Sequence, residues 1–230
     1  MQLEIHPEFQ IQKLRFGREQ APLVVIDNFI ANAEALITSA SQKTYTPSTK
    51  HYPGIRAKAP LQYKQLLLKL IKNDLFDFFE LKTTMMDINT CEYSIVTKSA
   101  EELEIMQRIP HIDWVTKGLA SVHYLFKSEL GGTAFYRHRQ TGYEFVDEMR
   151  RREYFACLQQ EIGGSDAPQW GYIDGDTALF EQIAQQQSKY NRILIYRGNS
   201  LHSGSIARNF LPDPNPRTGR LTINSFIEIK

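Results

Sequence analysis

Residues Leu221 to Ile229 alternate apolar and polar positions and are rich in β-branched side chains. That is the pattern of a strand with one buried face. Cys91 to Thr97, Leu119 to Phe126, Ala134 to Tyr136 and Arg192 to Arg197 repeat the signature, and turn residues such as Gly131-Gly132 break it. Several short strands spaced by turn signals predict a β-sandwich or barrel.

Helices are expected to frame this sheet region. Leu23 to Ile30 reads as a buried strand, residues 31 to 42 as a helix, 44 to 60 as loop, and 61 to 79 as an amphipathic helix. Residues 143 to 190 form an insertion. Phe145, Val146, Met149, Phe155 and Ala156 predict a first helix there, and Leu179, Phe180, Ile183 and Tyr190 a second, with a loop over 163 to 168. The expectation is one domain, 1–230: helical support over 1–84, a β core over 85–142 and 191–230, and the helical insertion over 143–190.

Composition excludes several classes. The chain has 230 residues, 42% hydrophobic and 23% charged, with a net charge of +1. It is long enough to bury a core without covalent staples, and its charge points to neither nucleic acid nor a membrane surface. Its two cysteines, Cys91 and Cys157, form no CxxC pair, so a cysteine zinc site is not expected and a reducing, cytoplasmic setting is. No signal peptide and no membrane-length apolar run are read. Phosphate-loop, nucleophile-elbow and dinucleotide motifs are missing, and Asp174-Gly175-Asp176 lacks the other ligands of a calcium loop.

The chemistry-bearing residues begin with His111 and Asp113. In an extended segment they project to the same side, supplying two corners of a facial Fe(II) site made of two His and one carboxylate. A surface or core histidine would leave the same short motif. His202 follows a strand and the turn Gly198-Asn199-Ser200 and could supply the third corner, or be a turn histidine. Arg220 enters the last strand with Thr222 two residues on. A strand-borne Arg offers two prongs to a carboxylate, or is an edge charge. Tyr93 and Tyr124 are further candidates for the co-substrate, or core tyrosines. Tyr52-Pro53-Gly54-Ile55-Arg56 reads as a turn that could reach a pocket mouth.

The order His111-x-Asp113, apolar strand, Gly131-Gly132-Thr133, His202, then Arg220-x-Thr222 resembles the 2-oxoglutarate and Fe(II)-dependent dioxygenase superfamily, most closely its prolyl-hydroxylase-like branch. Leu119 to Leu125, Gly131 to Phe135 and Leu194 to Tyr196 carry the likeness. The whole chain also resembles a bacterial subfamily often encoded near flavin-dependent tryptophan-halogenase-like proteins.

The resemblance implies an α+β fold with a double-stranded β-helix (jelly-roll, cupin-like) core. It implies Fe(II) on His111, Asp113 and His202, and 2-oxoglutarate held by Arg220 and Thr222. The implied activity is hydroxylation of a small-molecule, amino-acid or peptidyl substrate. Asp113 fills the place a halide would need, so halogenation is not expected. A cupin-like metal- or partner-binding protein without 2-oxoglutarate turnover is the alternative, and a homodimer is left open.

Two departures from the superfamily pattern stand out. The gap from His202 to Arg220 is long (220 − 202 = 18) and Pro-rich, which makes Arg217 a rival for the carboxylate. The 143–190 insertion is large, and is expected to select the substrate and partly cover the iron. Trp170, Tyr172 and Arg150 to Arg152 are its candidate contacts.

Overall fold

The computed structural model describes residues 2–48, 52–113, 118–164 and 167–230. Two antiparallel sheets face each other. The larger takes β1 (Gln10–Phe16), β2 (Ala21–Asp27), β3 (Thr46–Pro47), β4 (Gly54–Lys58), β5 (Met86–Val96), β6 (Gly118–Tyr124), β9 (Ile193–Arg197) and β11 (Leu221–Ile229). The smaller takes β7 (Gly132–His138), β8 (Phe180–Gln186) and β10 (His202–Ser205). Their spatial orders are β1-β2-β9-β6-β11-β5-β4-β3 and β10-β7-β8. This is a double-stranded β-helix, in which the chain crosses between sheets instead of only winding within one.

Register decides what each side chain faces. Arg56, Ser94, Thr222 and Tyr124 pair across four strands, so all four project to one face, toward the smaller sheet. Ala57, Tyr93, Ile223, His123 and Ile193 form the next row and project to the opposite face. There α1 (Ala33–Ala40) and α2 (Leu61–Leu70) cover the sheet, and a core of Val24, Ile26, Leu67, Ile71, Ile193 and Ile223 fills the space between. Asn32 starts α1 by accepting the Ala35 N–H. Pro60 precedes α2, and a π-helical turn, Ile71–Leu75, extends it. Among the described residues no helix is long and apolar enough to cross a membrane.

Two expectations are corrected. Residues 1–84 are not simply helical support, because β1 to β4 contribute half of the larger sheet's strands. The first helix of the insertion is α3 (Glu148–Ile162), capped by Asp147 accepting the Met149 and Arg150 N–H groups. The second helix does not form: Phe180 to Gln186 is strand β8, paired with β7. Opposite Phe135 and Tyr136, Ile183 is an extra residue in the ladder. Such a bulge resets the alternation, so the apolar spacing Phe180, Ile183 imitates a helix. Of the loop expected over 163–168, residues 165 and 166 lie outside the described residues.

Candidate metal centre and adjoining cavity

His111 and His202 form an antiparallel bridge. The His111 N–H donates to the His202 carbonyl at 2.8 Å and the reverse bond is 3.0 Å. Two residues on, the Asp113 N–H donates to the Gly198 carbonyl at 2.9 Å. These bonds fix the extended segment that carries His111 and Asp113 against the chain that carries His202. The ligating atoms of the three residues all lie within 4.8 Å of one another. His202 Nε2 is 3.4 Å from Asp113 Oδ2, and His111 Nε2 is 4.0 Å from Asp113 Oδ1. Trp114, next in the motif, lies outside the described residues.

The donor set fits a cation. His202 Nδ1 is 2.9 Å from the Ser200 carbonyl, which can only accept. That nitrogen therefore carries the proton, and in the neutral ring Nε2 presents a lone pair. It faces Asp113 Oδ2, which is buried without a hydrogen-bond partner. Two acceptors pointed at each other in a buried site are satisfied by a positive ion between them. A backbone carbonyl behind the ring is also the usual way a metal-ligating imidazole is oriented. Burial pushes the Asp113 carboxyl above the ordinary carboxylate range, a rise that a protonated His202 and the Arg56 charge would oppose.

These residues line a cavity of about 340 Å³ between the sheets, which Arg220 and Thr222 also line. Arg220 is buried. Its Nε donates to the Leu130 carbonyl and its Nη2 to the Gly132 carbonyl, both at 2.9 Å. The guanidinium thus clasps the Gly131-Gly132-Thr133 turn, and of its two prongs the Nη1 side is the one not engaged in these bonds. The glycines allow the clasp: a Cβ at Gly131 would strike the Ser205 carbonyl, and one at Gly132 the Gln186 carbonyl. Thr222 Oγ1 makes a long 3.4 Å contact to the Ser94 carbonyl. Arg217 is exposed, does not line the cavity, and acts electrostatically on Glu34.

The two tyrosines separate. Tyr124 shares the sheet face of Thr222 and its hydroxyl is 2.7 Å from Thr133 Oγ1, but it packs in the core between the sheets and does not itself line the cavity. Tyr93 is corrected: it pairs with Ile223, so it projects into the helix-side core and does not line the cavity. Two residues of the turn read as able to reach a pocket mouth do line it. The Arg56 guanidinium lies 4.5 Å over the Tyr52 ring, and the Tyr52 hydroxyl, beside Thr222 and Ser94, is buried without a partner. Arg56 faces the cavity because it pairs with Ser94, a register that the sequence alone does not reveal. From the insertion, Tyr154, Phe155 and Leu158 on α3 and Tyr172 line the cavity. Trp170 instead packs its ring against Arg108, 3.6 Å from the guanidinium carbon.

The model of a family of unknown function (DUF6445) matches residues 7–227. No curated protein matches the chain significantly. Among solved structures, the chain is similar to the non-heme alpha ketoglutarate dependent epimerase SnoN from nogalamycin biosynthesis. That match has 9% identity and a TM-score of 0.44, covering 91% of this chain and 78% of that one. It is similar also to an N-substituted L-amino acid dioxygenase from Burkholderia ambifaria AMMD, again with 9% identity and a TM-score of 0.44, covering 95% and 94%. At that level neither contributes to the functional reading, which rests on the site's own geometry.

Proposed function

The chain belongs to the DUF6445 family, and we propose that it is an Fe(II)- and 2-oxoglutarate-dependent oxygenase of the prolyl-hydroxylase-like type. The observation that carries this reading is the pair of facing acceptors, His202 Nε2 and Asp113 Oδ2, with His111 completing the set. Two imidazoles and one carboxylate are the ligand set of non-haem Fe(II) oxygenases.

His111, Asp113 and His202 would hold the iron. Arg220 would take the distal carboxylate of 2-oxoglutarate, with Thr222 and the unsatisfied Tyr52 hydroxyl beside it. When bound, iron and 2-oxoglutarate supply an O₂-dependent oxidation of a substrate C–H bond, with 2-oxoglutarate leaving as succinate and CO₂. The protein's part is to bind, orient and exclude water. Thr133, held from behind by the Tyr124 hydroxyl, forms part of one side, and Tyr154, Phe155 and Leu158 supply apolar wall. Hydroxylation of a small-molecule, amino-acid or peptidyl substrate is the proposed outcome. Two unpaired cysteines, Cys91 and Cys157, support a cytoplasmic setting.

A second reading, a metal-binding jelly-roll without 2-oxoglutarate turnover, draws on one observation: Arg220 already spends two N–H groups on the turn. Aerobic incubation with Fe(II) and 2-oxoglutarate separates the two. The oxygenase reading expects slow succinate formation that needs Fe(II) and is lost in Asp113→Ala. Metal binding with no succinate under any condition would favour the second reading.

A further inference from the structure

One wall of the cavity holds two polar atoms that the protein itself leaves unsatisfied. Arg56 Nε is buried without a hydrogen-bond partner, and so is Asn224 Oδ1; both residues line the cavity. Arg56 has one ionic contact, Nη1 to Glu92 Oε2 at 3.3 Å, long for a charged pair. Its guanidinium lies over the Tyr52 ring. That leaves the Nε–Nη2 edge, the side-on fork that matches a carboxylate.

Register places the acceptor on the same sheet face as Arg56. Glu92, which Arg56 reaches, pairs directly with Asn224 across β5 and β11. Arg56 on β4 and Asn224 on β11 thus lie on one sheet face with β5 between them, at about 4.8 Å per strand step, and the Arg56 side chain bridges one of those steps by reaching Glu92. A buried donor carrying positive charge and a buried neutral acceptor in one cavity are both costly to leave unmatched. The complementary ligand presents an anion to the first and an N–H donor to the second. The cavity also has an apolar stretch, formed by Met106, Ile112, Tyr154, Phe155 and Leu158.

We propose that this wall binds the head of a free α-amino acid with an apolar side chain, Arg56 taking the carboxylate and Asn224 the amino group. It rests on the oxygenase reading, for which it names the substrate class. Arg220 and Arg56 then divide two carboxylates between them, one from the co-substrate and one from the substrate.

The test is calorimetry on anaerobic protein, metal-free and loaded with Fe(II) and 2-oxoglutarate, with L-leucine, L-methionine and L-phenylalanine as probes. Formation of the iron–2-oxoglutarate absorption band is recorded on the same loaded samples. At least one amino acid should bind. Arg56→Gln should weaken that binding about tenfold or more, the loss of a charge-assisted pair, while the band still forms. For the amino acid that binds, the matching acid without its amino group and the N-acetyl derivative should both bind more weakly. If the band forms and no amino acid binds, or Arg56→Gln binds as wild type does, the amino-acid site is overturned. Equal binding of the N-acetyl derivative overturns the role of Asn224 and points to a peptidyl or N-blocked substrate. If the band never forms yet binding depends on Arg56, the oxygenase reading fails and the amino-acid site stands. With neither band nor binding, both fall.

Discussion

His111 and His202 exchange both main-chain hydrogen bonds, at 2.8 and 3.0 Å, so the two imidazoles are positioned by backbone. Their ring centroids are 4.4 Å apart. A site built this way persists when one ring is removed. His202→Ala should fold, keep the bridge, and lose tight Fe(II) binding, because the vacated place leaves only His111 and Asp113. Equilibrium dialysis with Fe(II) reads this directly. Unchanged affinity in His202→Ala would remove it from the ligand set.

Arg220 and Arg217 make opposite predictions. Arg220 lines the cavity, whereas Arg217 is exposed and near Glu34. A hydrogen bond to a charged group contributes roughly 1.5–3 kcal/mol, so Arg220→Gln should weaken 2-oxoglutarate binding by about ten- to a hundredfold and leave Fe(II) binding intact. Arg217→Ala should change neither. The reverse ranking in a 2-oxoglutarate titration would transfer the role.

Gly132 ties the turn to that arginine. A Cβ there meets the Gln186 backbone, which cannot yield as a side chain can. Gly132→Ala should lower stability by about 1–3 kcal/mol, the usual cost of overpacking. It should also weaken 2-oxoglutarate binding, since Arg220 Nη2 is bonded to the Gly132 carbonyl. A denaturant midpoint and a 2-oxoglutarate titration should move together. A shift in stability alone would separate the turn from the co-substrate.

His123 predicts acid sensitivity away from the cavity. It is fully buried, stacked on Tyr63 at 5.7 Å, with Nε2 3.1 Å from Asn191 Oδ1. That oxygen also accepts the Ile30 N–H, and the Asn191 amide nitrogen donates to the Ile30 carbonyl, so Nε2 is the donor. Nδ1 is buried without a partner, and burial lowers the pKa from 6.5 to about 4. The unfolded chain gains a proton below pH 6.5 that the folded chain refuses until about pH 4. Stability is therefore complete above pH 6.5 and falls through that window. The whole effect is on the order of 3 kcal/mol. Urea midpoints at pH 7 and pH 5 should fall further in wild type than in His123→Gln. Equal losses would mean that His123 does not report on folding.

Much of the site was legible because its signals are local. His111 and Asp113 share a side through a two-residue step, and Gly131-Gly132 marks a turn whose tight approaches only glycine permits. What escaped depends on register. Tyr93 and Thr222 lie on opposite faces because Tyr93 pairs with Ile223. Arg56, in a turn read as able to reach a pocket mouth, faces the cavity because it pairs with Ser94. No spacing within one segment encodes which residues meet across strands. The bulge at Ile183 failed to announce β8 for a related reason, since one extra residue turns a period of two into an apparent period of three.

The central claim is that His111, Asp113 and His202 together with Arg220 form one Fe(II) and 2-oxoglutarate site. The most direct measurement is anaerobic titration of the purified protein with Fe(II) and then 2-oxoglutarate, following the metal-to-ligand absorption band. The account predicts a band that saturates at one Fe(II) and one 2-oxoglutarate per chain, vanishes in His202→Ala and needs excess 2-oxoglutarate in Arg220→Gln. A wild-type protein that binds Fe(II) yet gives no band at saturating 2-oxoglutarate would contradict it.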